Sequence, residues 1–142
     1  MNNNYIIRKL HEDDYEKYLK LINQFRPTKF TKDKYLEILN KININSEIWI
    51  IELNNELVGT GTILYEYKFI HDICILAHIE DICIDESYRG QKFGKILINY
   101  LINESTQKNC YKITLYCSEE LEKFYKFCNF EKRGIQMAIY IK

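Results

Sequence analysis

The stretch from His78 to Tyr100, HIEDICIDESYRGQKFGKILINY, decides how this chain folds. It opens as a strand, because Ile79, Ile82 and Ile84 are β-branched and apolar and suit a pleated, half-buried surface. Glu80 and Asp81 sit side by side inside it, where solvated carboxylates are unwelcome. A basic turn with two glycines follows, Tyr88-Arg89-Gly90-Gln91-Lys92-Phe93-Gly94-Lys95. The apolar spacing then becomes helical, with Ile96, Leu97, Tyr100 and Leu101 at i, i+1, i+4 and i+5. A strand that runs through a glycine-bearing turn into a helix aims unpaired N–H groups and the positive end of the helix dipole at one spot. That spot suits an anion, most often a phosphate.

The glycine spacing excludes two common phosphate loops. A dinucleotide fingerprint needs three glycines, and this turn has Gly90 and Gly94 only. A Walker loop needs a hydroxyl after its lysine to hold magnesium, whereas Ile96 follows Lys95. A second segment, NCYKITLYCSEELEKFYKFCNF from Asn109 to Phe130, adds another strand and helix. Ile113, Leu115 and Cys117 alternate as one strand face over Tyr111 to Cys117, and Leu121, Phe124, Tyr125 and Cys128 form a helical stripe over Glu119 to Cys128. Asn129 stands where a left-handed residue closes a helix.

Arg89-Gly90-Gln91-Lys92-Phe93-Gly94 resembles the R/Q-x-x-G-x-G/A loop of the GNAT family, the acetyl-CoA-dependent N-acetyltransferases, with Lys92 in place of the middle glycine. Phe124-Tyr125 followed by Asn129-Phe130 is similar to that family's F-Y-x-x-x-G-F segment. His78-Ile79-Glu80-Asp81-Ile82, Lys68-Phe69-Ile70-His71 and Cys110-Tyr111-Lys112-Ile113 narrow the resemblance to members that acetylate an amino-sugar phosphate, with glucosamine 6-phosphate as the implied acceptor. This closer likeness covers Lys68 to Phe130. The N-terminal part matches loosely, through Ile6-Ile7-Arg8 and the helix after it.

The rest of the chain agrees with a single α+β domain over residues 1–142. Lys+Arg and Asp+Glu are equal at 20 each, so no overall field favours nucleic acid or a membrane surface. No apolar run reaches the roughly 18–20 residues of a membrane helix, and Met1-Asn2-Asn3-Asn4 carries no signal-peptide pattern. Cys74, Cys83, Cys110, Cys117 and Cys128 make no zinc spacing; an odd set in apolar segments reads as reduced, packed thiols in the cytoplasm, and no metal site is expected.

Periodicity predicts strands at Tyr5–Leu10, Glu47–Leu53, Leu57–Tyr67, Ala77–Ile84, Tyr111–Cys117 and Ile135–Ile141. Helices are predicted at Glu12–Phe25 (with Tyr15, Tyr18, Leu19 and Ile22 inward), from a Thr31 cap to near Asn43, at Gly94–Lys108 and at Glu119–Cys128. Pro27 breaks the first two helices apart, and Asn54-Asn55 makes the turn of a hairpin. This order is that of the GNAT acyl-CoA N-acyltransferase fold, a mixed, mostly antiparallel sheet with helices on both faces.

The resemblance also implies roles. The pantetheine arm of acetyl-CoA would pair with the backbone of Ile82, Cys83 and Ile84. Its pyrophosphate would lie on Arg89, Gly90, Gln91, Lys92, Phe93, Gly94 and Lys95, and Tyr125 would protonate the departing thiolate. Glu80, Asp81 and Ile82 would meet the sugar, and Lys68, Phe69, Ile70, His71, Tyr111 and Lys112 its phosphate and ring. A homodimer sharing the sugar site through the C-terminal strand is implied as well.

Three positions depart from relatives: Tyr116 replaces an acidic residue, Leu121 an asparagine and Tyr140 an arginine. Arg26 is the candidate to supply the missing phosphate charge. No hydroxyl–histidine–carboxylate arrangement is visible, which favours direct attack in a ternary complex over a covalent intermediate. Acetylation of another amine, such as a polyamine or a protein N-terminus, and a non-catalytic acyl-CoA-binding module stay open as alternatives.

Overall fold

A computed structural model describes residues 4–142; the reading of Met1–Asn3 lies outside them. The elements in chain order are β1 (Tyr5–Lys9), α1 (Tyr15–Phe25), α2 (Lys32–Ile42), β2 (Ser46–Leu53), β3 (Glu56–Lys68), β4 (Cys74–Ile84), α3 (Phe93–Gln107), β5 (Lys112–Leu115) and α4 (Glu122–Phe127). The strands form one sheet in the order β1-β2-β3-β4-β5, antiparallel throughout except for the parallel β4–β5 pair. No helix among the described residues is long and apolar enough to cross a membrane.

Alternation along the strands divides two cores between the two sheet faces. One face carries Ile63, Tyr65, Ala77 and Ile79 against Phe93, Leu97, Ile98 and Leu101 of α3 and Tyr125 of α4. The other packs Ile48, Ile50, Leu57 and Cys83 against Leu21 of α1 and Tyr35 and Leu39 of α2. Helices on both faces are therefore what the sequence pattern anticipated. The inward residue of α1 differs: Leu21 is 1% exposed, while Leu19 and Ile22 are only half-buried. Tyr15 and Tyr18 rest instead on Tyr35 of α2, at centroid distances of 5.6 and 6.3 Å, and Leu21 joins the core under the sheet.

Local chemistry explains most boundaries. Thr31 caps α2 by accepting the Lys34 N–H at 3.2 Å. Asn54 and Asn55 both take positive φ (51° and 63°), as a tight hairpin turn between twisted strands requires. Asn129 is left-handed at φ 68°, as expected after α4. The predicted first helix starts later than its sequence suggests. Glu12–Asp14 is a single 3-10 turn closed by His11, whose ring accepts the Asp13 N–H while its own N–H bonds Asp14 at 2.7 Å.

One predicted element is missing. Residues 131–142 form no strand, and Ile135, Met137, Ile139, Tyr140 and Ile141 are each about nine-tenths exposed. Their apolar alternation is paired with no strand of the same chain, so the pattern alone does not make an element. Leu121 and Cys117 also lie exposed rather than packed, because the helix begins only at Glu122 and the strand stops at Leu115. All five cysteines are free thiols, and Cys83 and Cys128 are buried as packing residues.

At the edge of the sheet, Asp14 is buried and accepts two hydrogen bonds from Arg8, at 2.8 and 2.9 Å. Burial pushes its carboxyl up, but Arg8 and the His11 N–H outweigh that and hold it below the usual carboxylate range. A depressed folded-state value gives stability above the unfolded value that is lost as pH falls through the folded one. Asp14→Asn is expected to lower the unfolding free energy by about 2 kcal/mol at pH 7, Arg8 being partly screened. That difference shrinks below about pH 4, which urea denaturation at the two pH values measures.

Candidate active site

The site begins at an irregularity in β4. Thr60 of β3 pairs with Cys83, but Thr62 pairs with Glu80, so Asp81 and Ile82 together face Gly61. Such a bulge inserts one residue and bends its strand. Asp81 takes the left-handed conformation (φ 52°), which a short polar side chain tolerates better than most. Gly61 lies opposite it: a Cβ there would stand 2.5 Å from Ile82 Cδ1 and 3.0 Å from Leu101 Cδ1, so the Ile82 tip would have to move aside. The bulge also switches side-chain parity, so Ile79 and Ile82, three apart, reach the same core.

Past the bulge, β4 loses its neighbour. The parallel pairing with β5 runs from Leu76–Lys112 to Ile79–Leu115 and stops. Glu80 to Ile84 therefore present a strand edge with no β5 residue beside it, the geometry in which an extended chain adds as a further strand. The cofactor positions Ile82, Cys83 and Ile84 line that edge. Their side chains are busy elsewhere: Cys83 packs under α1 with its thiol 3.7 Å from the Leu21 carbonyl.

The edge leads directly to the start of α3. Asp85 accepts the Ser87 N–H (2.8 Å) and opens a 3-10 turn, Glu86–Tyr88. Gly90 is left-handed at φ 79° with nothing within 4 Å of where a Cβ would be, so its backbone faces open space. Lys92 is also left-handed (φ 69°) and supplies no side-chain cap to the helix. The first amide that bonds back is Ile96, to the Lys92 carbonyl at 3.0 Å. The N–H groups of Phe93, Gly94 and Lys95 are thus left for an outside acceptor. These open amides fit a pyrophosphate. Gly94 has a second reason to be glycine, since a Cβ would lie 3.2 Å from Phe124 Cζ, the ring that brings α4 over the loop. Arg89 does not point freely at a phosphate; its Nε bonds the Ile84 carbonyl at 3.3 Å. Gln91 likewise bonds back, to the Ser87 carbonyl.

Tyr125 of α4 is packed in the core on the α3 side of the sheet, 8% exposed. Burial, with smaller contributions from Cys117 and Cys128, pushes its hydroxyl up to about 12. It stays protonated at neutral pH and keeps a proton to donate.

The predicted sugar residues fall into two groups. Glu80 and Asp81 are exposed beside the bulge, and Arg26 lies exposed in the loop after α1, over the Phe25 ring and with no ion pair among the described residues. The others gather at the far end of the sheet. His71 stacks on Tyr111 at 4.5 Å, Lys68 pairs with Glu66 at 3.2 Å, and Phe69, Ile70 and Lys112 are exposed. His71, Asp72 and Ile73 are three consecutive left-handed residues (φ 55°, 57° and 70°), a conformation that costs roughly 1–2 kcal/mol per residue for L-amino acids. Glu80 lies six positions after Cys74 along β4, on the order of 20 Å, so Phe69–His71 and Tyr111 stand well away from Glu80, while the Lys68 side chain reaches back to Glu66.

The structure adds residues that the sequence reading passed over. Tyr18 of α1 is pushed up to about 12 by burial and by the nearby Asp81 carboxylate, so a buried phenol borders the bulge. Gln24 donates to Asp85 (3.0 Å) and accepts the Glu86 N–H (2.9 Å), fastening α1 to the start of the phosphate loop. Contrary to the expectation from sequence, a hydroxyl, a histidine and a carboxylate do line up. Thr114 Oγ1 lies 2.7 Å from His78 Nδ1, and His78 Nε2 lies 2.7 Å from Glu66 Oε2. They come from three strands, so no linear motif could reveal them.

A free strand edge that runs straight into a helix start with open amides is the geometry of an acyl-CoA transferase site. The Acetyltransferase (GNAT) family pattern matches residues 6–130, and the chain belongs to that family. It is 37% identical over 140 residues to glucosamine 6-phosphate N-acetyltransferase 1 of Dictyostelium discoideum, covering 94% of this chain and 89% of that relative. The Arabidopsis thaliana enzyme of the same name is 30% identical, covering 94% and 95%. The crystal structure of glucosamine-6-phosphate N-acetyltransferase from Arabidopsis thaliana superposes with a TM-score of 0.93 at 29% identity, over 98% of this chain and 99% of that one. A Trypanosoma brucei acetyltransferase structure gives 0.92 at 27% identity, covering 97% and 100%.

Tyr125→Phe keeps the packed ring and removes only the hydroxyl. It is expected to lower kcat about 10²-fold while leaving the KM for acetyl-CoA within about threefold. Steady-state release of CoA thiol measures both constants.

Proposed function

We propose that this protein transfers the acetyl group of acetyl-CoA to the amine of glucosamine 6-phosphate, giving N-acetylglucosamine 6-phosphate and CoA for UDP-N-acetylglucosamine synthesis. The observation that carries the reading is the opening between β4 and β5, flanked by Glu80 and Asp81, in a chain 37% identical to a relative of that name. The thioester lies along the Ile82–Ile84 edge and the diphosphate on the amides of Phe93, Gly94 and Lys95. Holding the amine against the thioester carbonyl supplies much of the rate by proximity. An N–H near Ile82 polarises the carbonyl oxygen. The carboxylates of Glu80 and Asp81 hold the sugar amine, the amine attacks directly, and Tyr125 gives its proton to the leaving sulfur.

The acceptor phosphate meets Arg26, the exposed cation nearest the end of α1. A homodimer completes the site. Two features support it: the tail from Ile135 to Ile141 alternates apolar residues and pairs with no strand of its own chain, and the stacked His71 and Tyr111 lie far along β4 from their own Glu80. A second copy supplies both a strand edge and a place for that group. A cytoplasmic setting fits five free thiols.

Thiol release is compared with glucosamine 6-phosphate, glucosamine and spermidine as acceptors. The phosphosugar is expected to give the highest kcat/KM; preference for an unphosphorylated amine overturns the assignment, and CoA binding without turnover of any amine leaves a binding module. Sedimentation is expected to give twice the chain mass. Arg26→Ala is expected to raise the KM for the phosphosugar about tenfold, the loss of one charge-assisted hydrogen bond, with the KM for acetyl-CoA unchanged.

A further inference from the structure

Glu66, Lys68, His78, Glu80 and Thr114 share one sheet face. Register places them there: Glu66 pairs with Leu76 and Leu64 with His78 across β3–β4, and His78 pairs with Thr114 across β4–β5. Their neighbours in sequence, Tyr65, Ala77, Ile79, Ile113 and Leu115, all point into the opposite core. His78 is held from both sides. Glu66 accepts from Nε2, so the neutral ring must carry its proton there, and Nδ1 accepts from the Thr114 hydroxyl. The second oxygen of Glu66 is 3.2 Å from Lys68. Hydrogen bonds from His78 first and then Lys68 hold the Glu66 carboxyl below its ordinary range, so it is an anion that can steady an imidazolium.

This chain of contacts lies at the floor of the opening. Thr114–His78 is the last pairing but one before β4 and β5 part, and Glu80 is the next residue on the His78 face. We propose that Thr114, His78 and Glu66 form the exit route for the proton that the sugar ammonium must lose before its nitrogen can attack. The inference rests on the acetyl-transfer reading above. Glu80 takes the N–H proton from the ammonium and passes it, through water, to the Thr114 oxygen. The Thr114 hydroxyl gives its own proton to Nδ1 of His78, and the imidazolium stays bound to Glu66. The neutral amine then forms the C–N bond as the C–S bond breaks, and His78 releases one proton to solvent, which its partly exposed ring reaches. His78 and Thr114 act through Glu80 and are positioning residues in the route rather than groups that touch the thioester.

Other charged groups facing the histidine are few. β3 contributes Glu66 and Lys68, β4 contributes Glu80, and β5 contributes Lys112 and, beyond the pairing, Tyr116. From α1, Tyr18 faces Asp81 rather than the histidine.

The test uses the amine's own titration. Below about pH 8, the usual range for an amine beside electron-withdrawing groups, the substrate arrives protonated and needs the route; at higher pH it arrives neutral and does not. Thr114→Val preserves shape and is expected to lower kcat for glucosamine 6-phosphate about 10²-fold at pH 6.5 and less than about threefold at pH 9. Thr114→Ser restores the neutral-pH rate, and added imidazole restores turnover by His78→Ala. A loss of equal size at both pH values, or no loss in Thr114→Val, overturns the relay. Should His78→Ala fail to fold, the two Thr114 variants decide alone. Wild-type protein that does not acetylate the phosphosugar at any pH refutes the assigned reaction instead, so the two failures are distinguishable.

Discussion

The free edge of β4 and its surroundings depend on one misfit between β3 and β4. Two residues of β4, Asp81 and Ile82, are accommodated opposite the single Gly61, whose missing Cβ leaves room for the Ile82 tip. The strand bends there, its pairing with β5 ends within two residues, and an unpaired edge is left beside β4 in the interior of the sheet. Exposed strand edges are ordinarily a liability that folded proteins cover or charge. An extended ligand is one way to satisfy this one.

The same misfit organises the surroundings. Because β4 ends next to the loop before α3, the free edge and the free helix amides are consecutive in the chain, so a ligand that uses both needs no domain movement to bind. Phe124, packed where Gly94 lacks a Cβ, brings α4 across this junction and with it the buried Tyr125. Gln24 fastens α1 to the same junction from the opposite face. Three helices are thereby referred to one point, the junction of the free edge and the start of α3.

Cost and function coincide at the far end of the sheet. Three successive left-handed residues, His71 to Ile73, are held by a Phe69–Ile73 backbone bond and by the stack of His71 on Tyr111. Phe69, Ile70 and Ile73 are left exposed around them. Strain and exposed apolar surface in one loop fit a segment whose contacts are made with a second molecule rather than within its own chain.

The sequence determined the elements whose signals are local. Thr31 as a cap, Asn54-Asn55 as a turn, Asn129 as a helix stop and the Gly90–Gly94 loop before α3 each depend on a few adjacent residues, and each is found in the structure. Tyr125 was legible for the same reason, through the Phe124-Tyr125 pair on a short helix. What tertiary structure alone decided is pairing across strands distant in sequence. The bulge needs the β3–β4 register, the Thr114–His78–Glu66 chain needs three strands at once, and the separation of the His71–Tyr111 stack from Glu80 needs the length of β4. The predicted strand at Ile135–Ile141 failed on the same ground. Alternating residues state which face is apolar, but a strand exists only where another edge supplies its hydrogen bonds, and within this chain none does.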